Sequence, residues 1–421
     1  MLNKIFYTFS ARFLTALFSL LIVIITARYL GAEARGEISL LILAISIITI
    51  VNNIVGGSAL VFLVPRFDLY KLIVPSYIWA LISSLLITWL LDLFNLLPHR
   101  FSLDLFFLSF FSSLSSINLN ILLGKEKIKL HNIINFLQAL LLFVSLWFYL
   151  FLLDKKSISS YIYALYISFF ITFLLSSIPL LKTIQMVSLE KMNDIIKKFL
   201  KHGLYIQLAN LLQLINYRFS YYFIDYWQGT ASLGIYSVAV SIAEAVWMIS
   251  KSIALVQYAR VANLQDKEYA QNLTVKLVKL SFIGTLAVLI PLLLIPAGFF
   301  AVIFGKEFAD IKIIILSLSP GILSLAVCVI FAHYFSGIGK NYVNTIASGL
   351  GFILTLLFCF LLIPPYGIIG AAISASLSYS ISFIYLFIIF KKESGSSGIS
   401  YIPKVNDFKQ AMGELRKLIK T

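Results

Sequence analysis

The sequence predicts an all-α membrane protein with twelve transmembrane helices in two six-helix lobes. One observation behind this is composition: 60% of the 421 residues are hydrophobic and only 12% are charged, against about 25% in soluble domains. A second is a series of apolar runs near the length of about 20 residues that a helix needs to cross a bilayer. A third is that Lys and Arg concentrate in every second loop. In membrane proteins such an excess of Lys and Arg marks the loops on the cytosolic side.

This composition also excludes whole classes of protein. A soluble fold of this length could not cover so much apolar surface. Soluble enzymes, nucleic-acid-binding proteins and secreted domains are therefore excluded, and no nucleic-acid partner is expected. The net charge of +15 has a topological explanation, because most of the Lys and Arg fall on one side of the membrane. That side is predicted to be the cytosol, and both termini lie on it.

The predicted spans are the apolar runs between charged, Pro or Gly clusters. In chain order they are residues 10–30, 38–64, 72–93, 101–123, 133–153, 158–181, 203–224, 233–256, 275–300, 311–335, 343–363 and 366–390. The predicted organisation is an N-terminal lobe at 1–181, a cytosolic linker at 182–202, a C-terminal lobe at 203–390 and a cytosolic tail at 391–421. Linker and tail both carry apolar residues at helical spacing beside Lys and Arg, which predicts amphipathic helices on the inner membrane surface.

The two lobes carry an internal repeat. The loop after the first span contains Tyr29, Gly31, Gly36 and Ser39, and the loop after the seventh contains an aromatic residue, two glycines and a serine in the same register, namely Trp227, Gly229, Gly234 and Ser237. A weaker echo pairs Gly124 with Gly337. Matching loops are six helices apart, so both halves enter the membrane in the same direction, as a parallel repeat about an axis along the membrane normal. Two such lobes facing each other across a midplane cavity suit alternating access.

Three short motifs carry a family resemblance: RYLGAEARGEIS at 28–39, GIYSVA at 234–239 and PPYGIIGAAIS at 364–374. They resemble polysaccharide-export members of the multidrug/oligosaccharidyl-lipid/polysaccharide exporter superfamily, above all O-antigen (Wzx-type) flippases, and the likeness extends over residues 9–390. The resemblance implies a bacterial inner-membrane protein that turns an undecaprenyl-diphosphate-linked oligosaccharide from the cytosolic to the periplasmic leaflet. It also implies V-shaped lobes rocking about a central cavity, with other polysaccharide assembly proteins as candidate partners.

A sugar-diphosphate headgroup needs hydrogen-bonding side chains and cations along its path, because its hydration shell must be replaced. The predicted substrate-binding residues are polar residues that share helix faces in both lobes: Arg12, Asn53, Asn210, Gln213, Tyr217, Arg218, Glu244 and Lys251. Small and hydroxylated residues also line ordinary helix contacts in membranes, so packing is the open alternative for the Ser and Thr stripes beside them.

The charged members of this set each have two interpretations. Arg218 and Glu244 are predicted to lie about 10 Å and about 16 Å from the outer ends of their helices, a difference that a long Arg side chain can span. This predicts an ion pair that either neutralises two buried charges or releases Arg218 to a phosphate. Lys251 and Arg12 lie nearer the cytosolic ends of their helices. They either extend to the interface or attract an entering diphosphate.

No cofactor and no metal site are expected, and a proton or sodium gradient is the candidate energy source. A multidrug or organic-cation antiporter on the same fold is the main alternative, but it needs acids in its cavity, and Glu244 is the one acid well inside the second set of spans. A polysaccharide polymerase or glycosyltransferase is less favoured, because the sequence has no catalytic motif and short external loops. A non-transporting assembly partner stays open.

Overall fold

The structure is a computed structural model that describes residues 2–181, 192–262 and 266–394, with side chains described from residue 14 onward except at 192, 193, 259 and 262. The predicted tail beyond residue 394 and the first half of the predicted linker lie outside the described residues.

The described residues form twelve α-helices and no strands. The helices are α1 Leu2–Gly56, α2 Ser58–Leu63, α3 Leu69–Leu93, α4 Ser102–Gly124, α5 Ile128–Trp147, α6 Ile158–Leu181, α7 Met192–Gln228, α8 Thr230–Ala262, α9 Lys267–Leu294, α10 Ala297–Phe304, α11 Ile311–Gly337 and α12 Asn341–Glu393. Short 3₁₀ turns at His99–Phe101 and Lys306–Phe308 precede α4 and α11, and a π-helical turn at Phe148–Leu152 ends α5.

These helices account for all twelve predicted spans. Nine stretches of the described chain are long and apolar enough to cross a membrane, and two of them, in α1 and α12, run to 50 and 53 residues, about twice the length of one span. Each is divided by a glycine with non-helical backbone angles, Gly31 and Gly367, so each holds two spans. Helix α7 supplies the remaining span. Its 37 residues are enough to cross a membrane, but its polar residues make it less apolar than the nine stretches counted above.

The glycines of the predicted repeat occupy equivalent backbone positions. Gly31 has φ +84° and Gly229 has φ +81°, a left-handed conformation that glycine adopts without steric cost. Each lies between the first two spans of its half. The weaker pair also matches, because Gly124 is the last residue of α4 and Gly337 is the last residue of α11. The repeat seen in the sequence is thus a repeat of turn geometry.

Helix α3 illustrates how these helices suit a lipid environment. Its buried positions between residues 76 and 88 are all small or hydroxylated, including Ser76, Ala80 and Ser84. Its large apolar side chains point outward instead, with Leu85 60% exposed and Trp89 57% exposed. In water this arrangement would be inverted. Small residues let membrane helices approach closely, while lipid solvates the apolar side chains.

A glycine and a proline interrupt two of the predicted spans. Gly57 separates α1 from α2, and Pro296 separates α9 from α10. The second and ninth predicted spans are therefore each built from two helical pieces. Pro291 and Pro320 lie inside α9 and α11, which continue past them.

The chain divides into two compact units, Met1–Leu214 and Ile215–Thr421. In unit 1, α1 packs on α3, α4 and α5, and α6 packs on α4 and α5; in unit 2, α11 packs on α8, α9 and α12. The division falls inside α7, which differs from the predicted linker at 182–202. Residues 192–202 are already part of α7, and the side chains of Ile195 and Phe199 are buried in the core of unit 1 with Leu60 and Leu63. The apolar side chains at 195 and 199 therefore pack in the core of unit 1, and the placement of this linker on the inner membrane surface stays a prediction.

Glu393, the last residue of α12, connects three helix ends in unit 2 through ion pairs and a hydrogen bond. Its Oε1 accepts from Lys267 Nζ and its Oε2 from Lys340 Nζ, both at 2.6 Å, and its backbone carbonyl accepts from Gln271 Nε2 at 3.1 Å. The hydrogen bond to Glu393 raises the pKa of Lys340, so this lysine stays charged near neutral pH. One carboxylate thus joins the end of α12 to the start of α9 and to the turn before α12.

Glu393→Gln is expected to destabilise unit 2 by about 1–2 kcal/mol, because one charged acceptor serves two cations. Thermal unfolding of the purified chain in detergent measures the effect as a loss of a few degrees. Glu268→Gln in the exposed first turn of α9 is the matched control and should leave the midpoint unchanged. Equal midpoints for the two variants would remove this role from Glu393.

Candidate functional site

The predicted ion pair between α7 and α8 is present. Arg218 Nη2 donates to Glu244 Oε1 at 2.6 Å, and Arg218 Nη1 donates to the hydroxyl of Tyr221 at 2.8 Å. The Arg218 side chain is 21% exposed and that of Glu244 is 35% exposed. The pair is therefore held in place by two hydrogen bonds but is not sealed inside unit 2. A ligand reaching this face of the unit could contact both groups.

An aromatic cluster surrounds this pair. The ring of Tyr217 lies 5.4 Å from that of Trp247 and 5.6 Å from that of Tyr379, measured between centroids. Trp247 and Tyr379 are buried, whereas Tyr217 is half-buried. The cluster joins α7, α8 and α12 and fixes the helix faces on which Arg218 and Glu244 are carried. Ring pairs at this separation stabilise packing beyond the area they bury.

Lys251 is the second cation of the site. Its Nζ lies 4.5 Å from the centroid of the Trp247 ring, a cation–π contact. The side chain is exposed and within electrostatic range of both Glu244 and Arg218. Two cations and one carboxylate leave this part of unit 2 with a net positive charge. The arrangement can bind an anion through Lys251 and through Arg218 N–H groups when Glu244 yields them.

A second hydrogen-bonded cluster on α7 was not predicted from the sequence. Asn216 Oδ1 accepts from Thr355 Oγ1 at 2.7 Å and from Ser378 Oγ at 3.3 Å, and Ser378 Oγ also donates to the carbonyl of Gly351 at 2.7 Å. These residues come from both spans of α12. Their polarity marks them in the sequence, but a distance of more than 130 positions between Asn216 and Thr355 leaves no local pattern to connect them.

Asn53, one of the predicted residues of unit 1, lies near the break between α1 and α2. Asn53 Oδ1 accepts from Ser116 Oγ at 3.5 Å, and Asn120 Nδ2 donates to the carbonyl of Gly56 at 2.9 Å. The polar stripe of α4 therefore serves helix packing here, which favours the packing alternative. Asn210 Nδ2 donates to Gln207 Oε1 at 3.0 Å, and a Cβ added at Gly57 would lie 3.2 Å from Gln207 Nε2.

The remaining predicted residues are placed as follows. Asn210 and Gln213 are exposed on α7, within unit 1, whereas Tyr217 and Arg218 belong to unit 2. The side chain of Arg12 lies outside the described residues. The structure therefore brings together Tyr217, Arg218, Glu244 and Lys251, and their role as a substrate-binding set stays a prediction.

Two solved membrane-protein structures share the fold of this chain. The chain matches a solved structure of the lipid II flippase MurJ in an inward closed conformation, with a TM-score of 0.77 and 14% identity, over 100% of this chain and 91% of that one. It also matches an inward-facing multidrug resistance MATE family transporter of the MOP superfamily, with a TM-score of 0.71 and 16% identity, over 90% of this chain and 94% of that one. These likenesses show a shared fold. The matched proteins are a flippase and a multidrug transporter.

A sequence relative points to surface polysaccharides. The chain is 30% identical over 168 residues to the capsular polysaccharide biosynthesis protein CapF of Staphylococcus aureus, over 39% of this chain and 42% of that protein. The chain thus spans less than half the length of this curated relative. No protein-family model matches the sequence.

Proposed function

This chain has the fold of the multidrug/oligosaccharidyl-lipid/polysaccharide exporter superfamily, and we propose that it is a flippase for a lipid-linked oligosaccharide. The cargo is an undecaprenyl-diphosphate-linked repeat unit of a surface polysaccharide, such as O-antigen or capsule. The protein moves it by alternating access from the cytosolic to the periplasmic leaflet of a bacterial inner membrane, with both termini in the cytosol. The lobes at 1–181 and 203–390 act as the two moving halves, and an ion gradient of protons or sodium drives them.

The observation that carries this proposal is the net positive charge of the Arg218, Glu244 and Lys251 set. A charge in the middle of a membrane helix costs about 2.5–3.5 kcal/mol on insertion scales. One cation would suffice to neutralise Glu244, yet two are present, and the second is exposed. The excess cation is explained by a ligand that brings negative charge, and a diphosphate does so.

The hydrogen-bonding side chains among the predicted binding residues suit the sugar part of the cargo. Tyr217 is half-buried in unit 2, and Asn210 and Gln213 are exposed in unit 1. Hydroxyl and amide groups can both donate to and accept from sugar hydroxyls. Such groups replace water around a headgroup without demanding one specific sugar.

An organic-cation antiporter is the competing function, because the chain also shares its fold with a MATE transporter. A cation cargo would need an acid that is free to receive it. Glu244 already accepts from Arg218 at 2.6 Å, and Lys251 adds further repulsion. This charge balance favours an anionic cargo over a cationic one.

The leaflet in which the cargo accumulates tests the proposed function. After depletion of this protein in its own cell, lipid-linked oligosaccharide is expected to accumulate in the inner leaflet, where an impermeant periplasmic probe cannot label it. Restoring the gene should restore labelling. Accumulation in the outer leaflet instead would assign the protein to a later step, and unchanged labelling would exclude the transport role.

Lys251→Gln is expected to slow translocation about tenfold, equivalent to about 1.4 kcal/mol of lost interaction with phosphate. The measurement is the rate at which fluorescent lipid-linked oligosaccharide becomes accessible in proteoliposomes. Lys392→Gln, at an exposed position near the end of α12, removes the same charge and should leave the rate unchanged. A similar rate for both variants would show that Lys251 only extends to the interface.

A further inference from the structure

Unit 1 contains a charged pocket that the proposed transport site does not use. It has a volume of about 470 Å³ and lies where α2 ends and where α3 and α7 begin. The charged residues that line it are three cations and two acids: Arg66, Asp68, Lys71, Asp194 and Lys198. Both signs of charge therefore line one compact space.

Two of the three cations, Arg66 and Lys198, contact aromatic rings and not the acids. The guanidinium carbon of Arg66 lies 3.8 Å from the centroid of the Phe62 ring, and its Nη1 donates to the Phe62 carbonyl. Lys198 Nζ lies 4.4 Å from the centroid of the Phe67 ring. Among the described residues, neither cation lies within 4.0 Å of a carboxylate oxygen. Further N–H groups on both cations thus remain available to a ligand.

The two acids that line the pocket, Asp68 and Asp194, are also available to a ligand. Asp68 is the N-cap residue of α3, a position where a carboxylate usually accepts from the first turn and contributes about 1 kcal/mol. Its side chain makes no such hydrogen bond here. Asp194 lies in the first turn of α7 and is exposed. Among the described residues, neither carboxylate forms an ion pair or a side-chain hydrogen bond.

The pocket lies beyond one end of the outward apolar face of α3. That face begins at Ile78, which is 54% exposed. Lys71 precedes it by seven residues, or about 10 Å along the helix axis. The polar headgroup region is about 5–8 Å thick on each side of the hydrocarbon core. Lys71 is therefore placed near the outer edge of that region, where its long side chain can reach lipid phosphates.

We propose that this pocket binds the headgroup of an amine-bearing zwitterionic phospholipid. Arg66, Lys71 and Lys198 receive the phosphate, and Asp68 and Asp194 receive the primary ammonium. The mixed lining distinguishes this ligand from a purely anionic one, because the two carboxylates would repel a second negative charge. The site is independent of the proposed cargo site in unit 2.

Lipid titration of the purified full chain, followed by native mass spectrometry, tests the proposal. The probes are phosphatidylethanolamine, phosphatidylcholine, phosphatidylglycerol, an isoprenyl diphosphate and inorganic phosphate. Phosphatidylethanolamine is expected to bind about tenfold more tightly than phosphatidylcholine, whose quaternary ammonium has no N–H to donate, and more tightly than the remaining probes. Equal binding of the three phospholipids would overturn the proposal. Tighter binding of isoprenyl diphosphate would overturn it as well, by assigning the pocket to the cargo.

Two variants separate the roles of the cations and the acids. Lys198→Gln should weaken the binding of all three phospholipids about tenfold. Lys197 is an exposed neighbour outside the pocket lining, so Lys197→Gln should leave the binding of all three unchanged. Asp194→Asn should remove the preference for phosphatidylethanolamine and keep phosphatidylglycerol binding. Equal effects of Lys198→Gln and Lys197→Gln would show that lipid binding depends on the overall surface charge and not on this pocket. A retained preference in Asp194→Asn would exclude the ammonium contact.

Discussion

Arg218→Gln is expected to abolish oligosaccharide translocation, with a loss of about 100-fold or more. The substitution removes a guanidinium that can bind phosphate in a bidentate manner, and each charged hydrogen bond contributes about 1.5–3 kcal/mol. It also leaves Glu244 without its partner at 2.6 Å, so the net positive charge of the Arg218, Glu244 and Lys251 set is lost. The measurement is translocation in proteoliposomes, normalised to the amount of folded protein.

A double substitution distinguishes cargo binding from charge neutralisation. Arg218→Gln with Glu244→Gln removes both members of the pair, so no carboxylate is left unpaired. If Arg218 only neutralises Glu244, the double variant should regain both protein level and translocation. We expect it to regain protein level and remain inactive, because the phosphate-binding cation is still missing. Recovery of transport in the double variant would contradict the proposed role of Arg218.

Gly203→Ala is expected to have the largest effect on stability, about 3 kcal/mol or more. A Cβ at this position would lie 1.9 Å from the carbonyl oxygen of Ile54 and 2.8 Å from its carbonyl carbon. Backbone atoms cannot move aside as a side chain does, so α7 would have to separate from α1 just before the helix break at Gly57. Overpacking of this kind costs about 1–3 kcal/mol even where side chains can adjust.

The matched control is Gly349→Ala in α12, where an added Cβ would meet nothing within 4 Å. Alanine is favoured over glycine in a helix by about 1 kcal/mol, so this variant should be neutral or slightly stabilised. Thermal unfolding in detergent and the fraction of monodisperse protein are the measurements. Similar midpoints for the two variants would mean that the close approach at Gly203 is not needed for the fold.

Much of this architecture could be predicted from the sequence, because lipid imposes simple constraints. Apolar length predicted twelve spans, and the matched structures confirm the resemblance to the exporter superfamily at the level of the fold. The repeat was visible because backbone with positive φ favours glycine, and Gly31 and Gly229 both adopt it. The Arg218–Glu244 pair is also confirmed. It could be predicted because a charge inside a membrane helix needs a partner that its side chain can reach.

The remaining features depend on contacts that have no local pattern. Nothing near Tyr217 in the sequence indicates that Tyr379 lies against it. The start of α7 carries apolar and charged residues at the spacing of a surface helix, yet Phe199 is buried in the core of unit 1. Both facts depend on which helices meet. The identity of the sugar stays a prediction, because the hydroxyl and amide groups near the site suit many sugars.

The most direct test of the central claim is the cargo preference of the purified chain. The binding constants to compare are those for undecaprenyl-diphosphate-linked oligosaccharide and for a hydrophobic organic cation. We predict that the diphosphate cargo binds at least about tenfold more tightly, that this binding weakens with salt, and that Arg218→Gln removes the preference. Tighter binding of the organic cation, unaffected by Arg218→Gln, would contradict a phosphate-binding site at Arg218 and Lys251.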